Sequence, residues 1–143
     1  MTDLKALAEE RRARTQQWFE ALRDRLTAGV LAAVPDSIHL GHPTERLPGN
    51  VAFSVRYIEG ESMLLQLDAA GIMVASGSAC ASGSLEPSHV ILALGFGAEE
   101  AHGSLRLSLG RENTDAEADY FLEVFPPIVA RLRQMSPLYQ KQG

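Results

Sequence analysis

Cysteine occurs once in the 143 residues, at Cys80, and lysine only twice, at Lys5 and Lys141. A single thiol excludes a disulfide framework and a multi-cysteine metal site, and it fits a reducing compartment. The shortage of lysine leaves arginine to carry the positive charge, with eleven of the 13 basic residues. The net charge is −5 and the pI about 5.3. A phosphate-backbone binder needs a basic surface, so nucleic acid is not an expected partner. No apolar run approaches the roughly 18 residues of a membrane span. Residues 1–10 are polar and lack the apolar stretch of a signal peptide. These absences predict a soluble, cytoplasmic protein. What is present is ordinary globular composition, 45% apolar and 22% charged. It predicts a single domain over residues 1–143, long enough to bury about two-thirds of its unfolded surface.

Leu4, Leu7, Trp18, Phe19, Leu22, Leu26 and Val30 recur at helical spacing and predict one helix over 4–34, ended by Pro35-Asp36. Arg11, Arg14 and Thr15 interrupt the stripe, so the first three turns pack against something outside this chain or against nothing. Arg23, Asp24 and Arg25 are expected to face water. Residues 37–40 form a strand candidate, and 41–50 a loop punctuated by Gly41, Pro43, Pro48 and Gly49. Val51, Phe53, Val55 and Tyr57 alternate with Ala52, Ser54 and Arg56, which predicts a half-buried strand. A helix over 61–70 turns Met63, Leu64, Leu67 and Ala70 inward and stops at Gly71. A short apolar strand follows over 72–75. Residues 76–86, rich in Gly and Ser, are expected to be mobile. Pro87 suits the first position of a helix ending at Gly95. Leu105, Leu107 and Leu109 form one face of a strand, with Ser104, Arg106 and Ser108 on the other. Thr114 and Glu117 form a capping box. It opens a helix with Phe121, Val124, Phe125, Ile128, Leu132 and Met135 on one side, kinked at Pro126-Pro127 and ended by Ser136-Pro137. The order packs most simply as an α+β fold, a small, mostly antiparallel sheet with helices on one face.

Two residues stand out as candidates for chemistry. Cys80 sits in Ser76-Gly77-Ser78-Ala79-Cys80-Ala81-Ser82-Gly83-Ser84, where a thiol is accessible and able to move. That suits a nucleophile, and an incidental surface cysteine is the alternative. Free cysteines are usually buried, so the setting is unusual. No Lys, Arg or His lies within several residues to depress its pKa. The same segment lacks the spacing of a phosphate-binding glycine loop. Arg106, flanked on its strand face by Ser104 and Ser108, has the geometry to hold a carboxylate through two parallel hydrogen bonds. A solvated strand face explains the pattern as well, and Arg56 has similar surroundings. His39, His42, His89 and His102 show no metal-ligand spacing, so no metal is expected. His102 lies just ahead of the Arg106 strand, as a polar loop residue or within reach of a site there.

Four stretches together resemble the C-terminal part of a pyridoxal-phosphate-dependent cysteine desulfurase of the class V aminotransferase family. They are Leu47-Pro48-Gly49-Asn50, Glu59-Gly60-Glu61-Ser62, Ser76 to Pro87, and Ser104 to Arg111. The tail from Leu132 to Tyr139 is also similar, so the resemblance runs from about residue 5 to the end. The Ser-Gly-Ser-Ala-Cys segment is similar to the long-loop subgroup, whose members feed iron–sulfur assembly and tRNA thiolation. Ala81 stands where that group more often has Thr. The resemblance implies the small-domain fold of fold-type I pyridoxal-phosphate enzymes, Cys80 as the nucleophile that takes sulfur from L-cysteine as a persulfide, and Arg106 as the partner of the substrate carboxylate. It implies pyridoxal phosphate as cofactor, but nothing here resembles the large domain that holds the cofactor's lysine and phosphate ligands. The expectation is a fragment, a truncated gene product or half of a split enzyme, completed by a cofactor-domain polypeptide and passing sulfur to an acceptor or scaffold. By itself the chain is not expected to be catalytic. A free-standing sulfur carrier and a non-catalytic interaction module are the rivals. The carrier needs no carboxylate clamp, and the module needs no intact cysteine loop.

Overall fold

A 30-residue helix, α1 (Leu4–Ala33), opens the fold in the computed structural model, which describes residues 3–77 and 86–140. Asp3 caps it, accepting the Lys5 N–H at 3.0 Å. Its first half projects from the body with Leu4 exposed, as the interrupted apolar stripe predicts, while Leu22, Leu26 and Val30 are buried. Arg23 corrects the expectation of a solvated face: it is only 7% exposed, with Nε donating to Asp24 Oδ1 at 2.8 Å. Its aliphatic stem covers apolar surface while the head reaches a carboxylate at the rim.

The sheet has three strands, β1 (Ser37–His39), β2 (Asn50–Val55) and β3 (Ser104–Ser108), in the order β1-β2-β3 and antiparallel throughout. Its register sets Val51 opposite Leu107, Phe53 opposite Leu105, and Ala52 opposite Arg106. Alternation sends the large apolar residues to one face. There α1, α2 (Gly60–Ala69) and α5 (Asp115–Met135) cover them, forming a core around Phe53, Met63, Leu67, Leu105, Phe121 and Phe125. Phe121 and Phe125 stack at 5.0 Å between ring centroids, and Phe125 meets Phe53 at 5.6 Å.

The second face is partly covered as well. Two short helices, α3 (His89–Ala93) and α4 (Ala98–His102), place Ile91 and Ala101 with Leu40 and Ala52 in a small second cluster. Ser54 is therefore fully buried, its Oγ donating to the Glu100 carbonyl at 2.8 Å, and the strand is not half-solvated there. It also ends at Val55, because Tyr57 takes a left-handed φ of 71° that breaks the alternation.

Other expectations shift by small amounts. The apolar run over 72–75 contributes one bridge, Ala75 to Arg106, and no strand, since Gly71 at φ 80° turns the chain and Met73 stands 91% exposed. α3 starts at His89 behind the Ser88 N-cap, two residues later than the Pro87 start expected. The capping box at Thr114 and Glu117 is present. α5 runs unbroken through Pro126-Pro127. The donors lost there would have met the carbonyls of Leu122, half-buried at the edge of the core, and Glu123, which is exposed. Met135 is 64% exposed, so the buried face of α5 ends at Leu132 and Arg133. A last turn, α6 (Pro137–Gln140), follows.

Candidate functional site

β3 carries Arg106 on the second face of the sheet, beside Ser104 and away from the main core. Its backbone is held on both edges, by β2 and by two hydrogen bonds with Ala75, at 2.7 and 3.0 Å. The Cα is thus fixed on rigid scaffold. The side chain faces a cavity of about 380 Å³ lined by Arg46, Asn50, Ile91, Gly77 and Ser88. Gly77 and Ser88 flank the segment that contains Cys80. Ser104 Oγ accepts the Gly77 N–H at 3.2 Å and ties that end of the segment to β3. Cys80 itself, and the expected mobility of its segment, lie outside the described residues.

Arg106 has no ion-pair partner among the described residues, and its buried Nε has no hydrogen-bond acceptor. Arg56, its look-alike in sequence, is neutralised by Glu100 at 2.9 Å, and this hydrogen bond is the main cause of its raised pKa. The two arginines therefore differ in the one respect that matters for binding an anion. A guanidinium with unspent donors beside a partly apolar cavity is suited to a carboxylate, because both the charge and the planar fork are available.

Arg46 was not among the residues singled out in the sequence. It sits in the Gly- and Pro-punctuated loop between β1 and β2 and reaches back over the cavity. Its guanidinium donates to the carbonyls of Leu40 (3.1 Å) and His42 (3.2 Å) and to Asn50 Oδ1 (3.3 Å), and it contacts His39 Nε2. Burial, then the charges of Arg46 and Arg23, lower the pKa of His39, so the ring accepts as the neutral base. A lone arginine in a loop carries no periodic signal, which is why pattern reading passes over it.

The histidines do not assemble. His42 pairs with Glu45 and His102 with Glu59, each at 3.8 Å. His102 lines a separate cleft with Tyr57, Glu59 and Leu132, away from Arg106. No group of three potential metal ligands occurs among the described residues, and none of their helices is long and apolar enough to cross a membrane.

Known proteins resemble the chain in both sequence and fold. The family profile described as Aminotransferase class-V matches residues 3–121. Cysteine desulfurase IscS of Methanosarcina thermophila is 57% identical over 121 residues, 85% of this chain and 30% of that protein. Cysteine desulfurase IscS 1 of Archaeoglobus fulgidus is 54% identical over 120 residues, 84% of this chain and 31% of its own length. Cysteine desulfurase NifS of Azotobacter vinelandii is 50% identical over 123 residues, with coverages of 86% and 31%. The solved structure of a NifS-like protein superposes with a TM-score of 0.72 at 28% identity, over 88% of this chain and 31% of that one. A putative sugar aminotransferase of Streptococcus pneumoniae shares the fold, with a TM-score of 0.63 at 19% identity over 90% of this chain and 34% of its own. The chain spans about a third of the length of the curated relatives it matches. With the class-V profile covering well over half of its residues, the chain belongs to the aminotransferase class-V family.

Proposed function

We propose that this chain is the C-terminal, small-domain part of a cysteine desulfurase, and that it supplies Cys80 as sulfur acceptor and Arg106 as the grip on the L-cysteine carboxylate. The overall change is balanced without a further reactant: L-cysteine and the Cys80 thiol become L-alanine and a Cys80 persulfide. The observation that carries the reading is the unpaired Arg106 guanidinium facing a cavity whose wall includes Gly77 and Ser88, on either side of the Cys80 segment. Cys80 follows Gly77 by three residues, and a chain advances at most about 3.6 Å per residue. Covalent geometry alone therefore keeps the Cys80 Cα within roughly 11 Å of the Gly77 Cα. Such a site needs a thiol near the bound amino acid and a fixed cation for its carboxylate; Arg106 supports the second need, and the short tether from Gly77 to Cys80 is compatible with the first.

Class-V enzymes depend on pyridoxal phosphate, which is held by a lysine in a formed pocket. The described residues do not fit that attachment. Lys5 lies on the outward turns of α1, and no lysine lines the Arg106 cavity. Lys141 lies outside the described residues. The lysine and the cofactor's main ligands must come from a domain beyond these residues, and the sulfur then passes to an acceptor protein, as in iron–sulfur assembly.

The test pairs the chain with a lysine-bearing pyridoxal-phosphate domain and follows alanine release and persulfide at Cys80. Cys80→Ser should still bind L-cysteine but form no persulfide. Arg106→Ala should weaken L-cysteine binding by about 1.5–3 kcal/mol, and Arg106→Lys should also be impaired because it lacks the two-pronged fork. Full turnover in Cys80→Ser, or unchanged cysteine affinity in Arg106→Ala, would defeat the assignment.

A further inference from the structure

The Arg106 cavity contains a second unneutralised charge. Arg46 forms no ion pair among the described residues, and neighbouring Glu45 turns to His42 instead. All the acceptors of the Arg46 guanidinium are neutral: two backbone carbonyls, the Asn50 amide and the His39 ring. These bonds occupy its terminal nitrogens, and its Nε is buried without a partner. The donors of Arg46 are thus largely spent on the protein while its charge is not. Burial, then the nearby Arg23, disfavour that charge and lower its pKa, and the Asp24 carboxylate, paired with Arg23, offsets only part of this. A half-buried cation with no carboxylate in contact is costly unless an anion joins it. Arg106 faces the same cavity, also without an ion pair among the described residues and with its buried Nε unpartnered.

The geometry points to Arg46 as a second anion-holding residue of this cavity: it supplies charge through space to the carboxylate that Arg106 grips directly. The inference rests on the carboxylate reading above and adds a division of labour. Arg106 contributes direction through free N–H groups. Arg46 contributes potential, because its own N–H groups brace the loop between β1 and β2. The cavity should therefore favour small carboxylates and repel ammonium groups.

Acetate is the probe, titrated into the isotope-labelled chain at low and high salt while the amides of Ala75, Gly77 and Leu105 are followed by NMR. Wild type should bind saturably, more weakly as salt screens the charges. Arg46→Gln should weaken binding roughly fivefold or more and flatten the salt dependence, as expected for loss of one nearby charge. Arg46→Lys keeps the charge but cannot rebuild the four-way brace, so it should hold acetate within about twofold of wild type. Melting temperatures of both variants report the lost brace separately. Equal loss of acetate in the Lys and Gln variants would mean that the brace and not the charge matters, and would overturn the inference. So would unchanged affinity in Arg46→Gln when Arg106→Gln abolishes binding, which leaves the Arg106 reading standing. If wild type binds no acetate, or Arg106→Gln binds it normally, the carboxylate reading itself fails and the Arg46 inference falls with it.

Discussion

Three side chains, His39, Arg56 and Arg106, show how single residues here depend on their neighbours. His39 has its pKa pushed below 6.5, first by burial and then by Arg46 and Arg23. Above that value the ring is neutral in both folded and unfolded chains, and its contribution to stability is complete. As the pH falls below about 6.5 the unfolded chain takes up the proton first, so stability is lost until the depressed folded pKa is passed. Urea unfolding across that window should show a steeper loss in wild type than in His39→Gln. Parallel curves would mean that the ring is not held neutral. Arg106 and Arg56 make the complementary point. Each stands two residues after a serine in sequence, and the position of Glu100 separates the neutralised arginine from the one without an ion pair.

At the scale of elements, burial on one face decides what each segment is worth. Leu107 on β3 is 8% exposed against the main core. Leu107→Ala should cost roughly 2–5 kcal/mol in chemical denaturation. A loss under about 0.5 kcal/mol would belong to a surface site instead. Gly60 opens α2 so close to β3 that a Cβ there would meet Ser76 Oγ and the Ser104 carbonyl, the latter at 2.5 Å. Gly60→Ala should therefore destabilise by about 1–3 kcal/mol, and it should disturb the anchor of Gly77 on Ser104. α1 divides in two. A helical stretch of about a dozen residues is marginal without packing. Amide exchange should accordingly slow from Leu4 towards Leu26, and uniform protection along α1 would contradict the packing described.

Over the whole molecule, the two faces of one small sheet have different tasks. The face under α1, α2 and α5 carries most of the buried apolar surface and so most of the stability. The other face, capped by α3 and α4, is left with a cavity and two unneutralised arginines. A domain that concentrates its packing on one side can leave uncompensated charge on the other without unfolding. Mixed with pyridoxal phosphate, this chain should be fixed by borohydride at no single defined residue. A stable adduct at one lysine that survives dialysis would contradict the separation of the cofactor lysine from this site. Scattered modification of Lys5 or Lys141 reflects ordinary amine reactivity.

The local chain determined much of this. Period-3.6 and period-2 patterns marked α1, α2, α5, β2 and β3 to within a few residues, because each buries one face against the same core. Thr114 and Glu117 marked the start of α5 because a capping box is satisfied within a single turn. Cys80 and Arg106 were legible as candidates because a thiol among Gly and Ser, or an Arg between two Ser on a strand, departs from ordinary patterning. Other features depended on residues far apart in sequence. Arg23 is buried, Ser54 is covered by α4, Tyr57 ends β2, and Ile72 to Ala75 pairs through one bridge. None of these follows from local periodicity, since each is decided by what packs across from it. The role of Arg46 is the clearest case. Nothing around it in the chain separates it from a solvated loop arginine, and only the fold sets it over the same cavity as Arg106 with neutral acceptors on every side. Charge compensation is a property of neighbours in space, and the linear sequence does not specify those neighbours.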